Sequence, residues 1–179
     1  MPEKNRRYFL KTKESKALLR NASEKLKTDL GLIFKDKARV EVFETESAEI
    51  FLVNTKPVLV KTDKNIYPTL KFEEYLQKAP KVVVDMGAVP YVCKGANIMA
   101  PGIKRFEGQF AQNDIVIVID EKHGKPIAIG ETLYDDDKAN NVKQGTVVKN
   151  LYHVGDKTWN LLKEIAAGTL PDKKCELNL

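Results

Sequence analysis

The chain has 179 residues, 42% of them hydrophobic, and carries 30 Lys/Arg against 25 Asp/Glu. That is enough apolar material for buried cores and argues against a disordered tail. No window approaches 18 uncharged apolar residues, and the charged opening (Pro2, Glu3, Lys4, Arg6, Arg7) has no signal-type apolar stretch, so no membrane span and a cytoplasmic protein are expected.

The charge is uneven. Residues 1–40 hold 12 Lys/Arg and 5 Asp/Glu, whereas residues 81–179 hold 13 of each. Such asymmetry fits an end that faces a polyanion, and equally a solvated Lys-rich surface. Tyr8-Phe9-Leu10 reads as a short opening strand. Thr12 can cap a helix to Leu26 whose apolar positions, Ala17, Leu18, Leu19, Ala22 and Leu26, form one face. Lys13, Lys16, Arg20, Lys25 and Lys27 fall on or beside the other face.

From Ala38 the apolar period shortens to two. Residues 39–43, 49–53 and 57–60 read as three strands in a meander. Thr69 to Lys78 reads as a short helix, and Ala79-Pro80 breaks it at a domain boundary.

Lys81 to Val84 opens the second half as a buried strand. A short helix from Gly87 to Lys94 follows, with Pro90 in its first turn and Gly95 as a left-handed terminator. Ile103 to Phe106 reads as a strand. The β-branched run 115–119 reads as a strand covered on both faces. Pro126 to Thr132 is the next strand, Asp135 to Asn141 an acidic connector, and Thr146 to Tyr152 the last strand. Asp156 can cap a final helix from Lys157 to Ala167, ended by Gly168 and Pro171. About five strands around one small helix point to a compact, partly closed barrel over residues 81–160.

No phosphate loop and no nucleophile elbow occur. Cys93 and Cys175 are too few for a disulfide framework or a structural zinc site, and His123 and His153 have no partner at ligand spacing. Asp135-Asp136-Asp137 sits in a surface connector. No catalytic residue, cofactor or metal is expected.

The informative stretch is Lys94-Gly95-Ala96-Asn97-Ile98-Met99-Ala100-Pro101-Gly102-Ile103. Its glycines let the backbone approach another surface closely, with N–H groups next to Lys94, Lys104 and Arg105, as phosphate contact requires. A tight helix-to-strand connection would need the same glycines for geometry alone.

With Asp85 to Lys94 before it, this segment resembles the opening of PUA domains, and most of all the MCT family (multiple copies in T-cell malignancy), which is similar to the N-terminal half of ligatin. Tyr67-Pro68-Thr69-Leu70, the turn Gly95 to Met99 with Pro101-Gly102, and Trp159 match the family's landmarks over nearly the whole chain. Met86 departs from a lysine in the comparison, and Ala100 from a cysteine. The Lys-rich, Gln-poor composition fits a thermophilic archaeal version.

The resemblance implies an α+β fold: a small α/β pre-PUA domain over residues 1–79, a PUA-type pseudo-barrel over 80–167, and a C-terminal tail, 168–179. It also implies binding to structured RNA, tRNA or rRNA, at the small ribosomal subunit during initiation, reinitiation or recycling. A separate SUI-type factor is an expected partner. The alternative is an accessory RNA-binding subunit for tRNA or rRNA modification or ribosome biogenesis. On either reading, Gly95, Ala96 and Asn97 offer backbone amides, while Lys94, Lys104 and Arg105 contact phosphate. Lys149, Tyr152 and His153 form the other wall, with Tyr152 either stacked on a base or part of the barrel core. Lys13, Lys16 and Arg20 supply the salt-sensitive part.

Overall fold

The computed structural model describes residues 5–35 and 38–168. Cys175, Pro171 and the tail after Gly168 lie outside the described residues. The order in the first half is β1 (Arg6–Phe9), α1 (Thr12–Leu26), α2 (Leu30–Phe34), β2 (Val40–Glu44), β3 (Glu49–Val53), β4 (Lys56–Lys61), β5 (Ile66–Pro68) and α3 (Glu73–Lys78). The five strands form one antiparallel sheet in sequence order.

Several local differences from the sequence reading have clear causes. Thr12 is the first helical residue of α1, not its cap. The Lys11 amide donates instead to Glu14 Oε2 at 3.0 Å. The short helix α2 was not expected. Asp29 starts it by accepting from the Leu32 amide at 3.2 Å. The third helix begins at Glu73 rather than Thr69, because the Thr69 hydroxyl donates to Pro57 O at 2.8 Å and holds its own backbone out of the helix.

The second half runs β6 (Lys81–Val84), α4 (Val89–Val92), β7 (Ile98–Met99), a 3₁₀ turn (Ala100–Gly102), β8 (Ile103–Glu107), β9 (Ile115–Asp120), β10 (Pro126–Thr132), α5 (Asp136–Ala139), β11 (Thr146–His153) and α6 (Lys157–Ala167). The sheet order is β7-β11-β10-β9-β6-β8. Only the β6–β9 pairing is parallel among these strands. Its two edge strands, β7 and β8, are joined by the single turn 100–102, so the sheet curls into a half-barrel. The Asp156 carboxylate caps α6, accepting from the Trp159 amide at 2.7 Å.

The apolar run on β9 shows why both its faces are covered. Val116 and Val118 point into the barrel with Val82, Val84 and Ile98. Ile115, Ile117 and Ile119 point the other way, into a core shared with Leu19, Leu30, Phe72 and Tyr75 of the first half. Burying such a side chain stabilises by about 1.5–3 kcal/mol. One strand therefore ties the barrel to the first half. Among the described residues no helix is long and apolar enough to cross a membrane.

Candidate nucleic-acid interface

The Gly95 turn is built by its own hydrogen bonds. Gly95 has φ +94° and closes α4 in the left-handed conformation. Its amide donates to Val92 O at 3.0 Å, and the Ala96 amide donates to Tyr91 O at 3.1 Å. Those two amides satisfy the helix's open carbonyls, so they do not face a ligand as the sequence reading had them. Asn97 is exposed, but its side-chain Oδ1 accepts from the Asn150 amide at 3.0 Å.

Asn150 is the residue that sequence reasoning missed. From β11 its side-chain amide donates to Val92 O at 3.0 Å and to Ala96 O at 2.9 Å. With the Asn97 contact, it latches the turn onto the last strand. An asparagine inside a strand was the available signal, since that residue type is depleted there.

The turn and the end of β11 meet. A Cβ on Gly95 would lie 3.3 Å from His153 Nε2. His153 Nδ1 is 3.0 Å from Val154 O, which can only accept. The Nδ1 therefore carries the proton in the neutral ring, and Nε2 presents a lone pair beside the turn.

Lys94 and Lys104 are exposed, with no ion pair among the described residues. Lys104 sits on β8, whose start is held to the base of α4 by Asp85 N donating to Gly102 O at 2.9 Å. Arg105 is different. Its Nη2 and Nε donate to Glu107 Oε1 at 2.8 and 3.0 Å. Residues two apart on a strand share a face, so this arginine carries its own counter-charge. Lys149 is exposed and lies opposite Glu131 in the β10–β11 register.

Of the two readings of Tyr152, the structure takes the core. It is fully buried in the core shared by the two halves, with its ring centroid 6.0 Å from that of Tyr67. A slip in the β10–β11 register next to it changes which side the strand's residues take. Burial pushes the Tyr152 phenol well above its usual range and pushes Tyr67 up to about 12.

On α1, Lys13, Lys16 and Arg20 are exposed and unpaired among the described residues. Lys16 and Arg20 line a groove of about 580 Å³ together with Lys27 and Lys35. The far end of the same helix has another task. Lys25 Nζ lies 3.2 Å from Glu131 and Lys27 Nζ 2.8 Å from Asp114, both on the barrel half.

His123 does have an acidic neighbour: its Nδ1 is 3.4 Å from Asp120 Oδ1. That carboxylate accepts from the His123 and Lys125 amides, which close the β9–β10 turn and hold its pKa below the usual carboxylate range. Among the described residues no group of three or more His, Cys, Asp or Glu is placed to hold a metal.

Comparison with known proteins adds the following. The model of the PUA domain matches residues 80–154, and that of a domain of unknown function (DUF1947) matches residues 6–78. An uncharacterized protein of Methanocaldococcus jannaschii is 37% identical over 168 residues, covering 88% of this chain and 98% of that protein. Translation machinery-associated protein 20 of Saccharomyces cerevisiae is 26% identical over 157 residues, covering 83% and 87%. Malignant T-cell-amplified sequence 1-B of Xenopus laevis is 27% identical over 121 residues, covering 65% and 67%. The crystal structure of a PUA-domain protein of Aeropyrum pernix, in a tartrate complex, superposes with a TM-score of 0.80 at 26% identity, covering 91% and 94%.

Proposed function

This chain belongs to the family of PUA-domain proteins that carry a DUF1947 domain in front, with relatives among the translation machinery-associated and T-cell-amplified proteins, and from that premise we propose that it is a cytoplasmic, non-enzymatic RNA-binding factor of translation. It acts on tRNA or rRNA at the small ribosomal subunit, with the two halves divided at Ala79-Pro80. A separate SUI-type factor is a candidate partner.

The observation that carries this reading is the latched turn. Gly95, set against His153 and fixed by Asn150, is exposed backbone next to the unpaired Lys94, while Lys104 stands exposed and unpaired on β8. Phosphate contacts of this kind position a nucleic acid, while the turn's shape selects it. Its supporting surface is the Lys13–Lys16–Arg20 face of α1. Catalysis would need convergent reactive groups, and the described histidines serve turns and strand ends instead.

The test is crosslinking in cells followed by sequencing of the bound RNA, with ribosome-profile sedimentation alongside. Recovery of tRNA or small-subunit rRNA and comigration with that subunit are expected. Copurification with an RNA-modification enzyme and no ribosomal particle would overturn the translation reading in favour of an accessory role.

A further inference from the structure

Tyr152 is buried, yet the barrel half has another aromatic at the turn. The large hydrophobics left exposed among the described residues are Tyr8, Phe9, Leu32, Met86, Tyr91 and Met99. The three on the barrel half, Met86, Tyr91 and Met99, all lie in the segment that builds and flanks the Gly95 turn. Tyr91 is the most exposed of these, at 67%.

Its backbone is as fixed as its ring is open. Tyr91 O accepts from both the Lys94 and Ala96 amides, each at 3.1 Å. No ring partner for Tyr91 occurs among the described residues. The Lys94-to-Tyr91 bond spans three residues, and side chains at that spacing line up on one face. A solvent-facing phenol ring thus stands over the same surface as an unpaired ammonium. Two carboxylates bonded to the segment before the turn are engaged: Asp85 accepts from the Ala88 amide at 2.7 Å, and Glu121 accepts from the Met86 amide at 3.2 Å.

We propose that Tyr91 is a stacking platform for one unpaired nucleobase, whose flanking phosphate is held at Lys94. The inference rests on the RNA-binding reading above and adds a residue and a ligand feature to it. A flat π surface beside a cation matches a nucleotide's own pairing of a base with a phosphate. Duplex RNA keeps its bases stacked on one another and offers none to Tyr91. Met99, exposed in the same segment, is kept in place by the Thr146 hydroxyl, 3.2 Å from its Sδ.

The test compares a blunt RNA hairpin with the same hairpin bearing a single-stranded 3′ extension that carries 2-aminopurine at successive positions. Wild type and Tyr91→Phe should bind the extended hairpin alike and quench one position. Tyr91→Ser should lose about tenfold in affinity for it and lose the quenching, with the blunt hairpin unaffected. Because Tyr91 is exposed, its melting temperature should stay near that of the wild type. If Tyr91→Ser binds the extended hairpin as tightly as wild type while Lys94→Gln binds it more weakly, the turn contacts RNA without Tyr91. The apolar patch then serves a protein partner, and this inference alone falls. If wild type binds neither hairpin, and cells yield no crosslinked RNA, the functional reading falls with it.

Discussion

Two of the surfaces that bear exposed cations among the described residues are made in opposite ways. On α1, Lys13, Lys16 and Arg20 stand on a regular helix, exposed and set by its period, and Lys16 and Arg20 open onto a broad groove. At the Gly95 turn the cations are fewer, and the backbone is bound to α4, to Asn150 and against His153. The first surface can attract any polyanion. The second can reject one that does not fit. Long-range attraction needs only charge, whereas discrimination needs geometry that is held before the ligand arrives.

The largest effect should come from removing the attraction. Replacing Lys13, Lys16 and Arg20 by glutamine keeps the helix and its apolar face. Each phosphate contact adds about 0.9 to the slope of log affinity against log salt, so three lost contacts should flatten it by roughly two to three units. At low salt the affinity should fall on the order of a hundredfold. Binding measured by fluorescence anisotropy across a salt series reads both. An unaltered slope would take α1 out of the RNA surface.

The next effect should come from deforming the turn. Gly95→Ala must hold a Cβ at φ +94° and 3.3 Å from His153 Nε2. The left-handed backbone alone costs about 1–2 kcal/mol. The affinity for structured RNA should fall about tenfold, one such cost expressed in binding, with no change of salt slope. A variant that melts earlier yet binds as wild type would make the glycine a matter of chain geometry only.

Between the two surfaces lies a difference in what the sequence could reveal. The left-handed Gly95, the Asp156 cap and the doubly covered strand at 115–119 were legible because each follows from local residue types. The exposure of Lys13, Lys16 and Arg20 follows from helical period alone. Asn150 was not legible, since its value lies in two carbonyls more than fifty residues earlier. Tyr152 stays open between base and core in the sequence, because the two halves share a core and no local pattern announces which aromatic fills it. Arg105, expected to contact phosphate, is bonded to Glu107, a partner that its spacing of two along a strand makes visible in the sequence.

The latch gives a third effect, smaller than deforming the turn. Asn150→Ala leaves Val92 O and Ala96 O without their side-chain donor, costing about 2 kcal/mol of stability. A loosened turn must be re-ordered on binding, so affinity should fall about fivefold, in line with the entropy of ordering one side chain. Asn150→Asp should be worse than alanine, because a carboxylate would then face two carbonyl oxygens. Equal melting temperatures for the wild type and both variants would deny the latch.

The smallest effect separates lysines on one helix. Lys25 and Lys27 belong to the same basic face by sequence, yet both are bound to barrel carboxylates, at 3.2 Å to Glu131 and 2.8 Å to Asp114. The lysine side chains are 31% and 61% exposed, so each pair is worth about 0.2–1 kcal/mol. Replacing both by glutamine should lower stability by about 1 kcal/mol, or roughly 2–4 °C in melting temperature for a chain of this size. The salt slope of RNA binding should stay within error of wild type, because a lysine already facing a carboxylate releases few counterions from RNA. That contrast with the Lys13, Lys16 and Arg20 variant is the sharper test, since both replace basic side chains of α1 and its C-cap by glutamine. If the Lys25 and Lys27 variant flattens the slope as much per residue, the ion pairs open on binding. The whole length of α1 would then face the nucleic acid, and its division into a free end and a stapled end would be wrong.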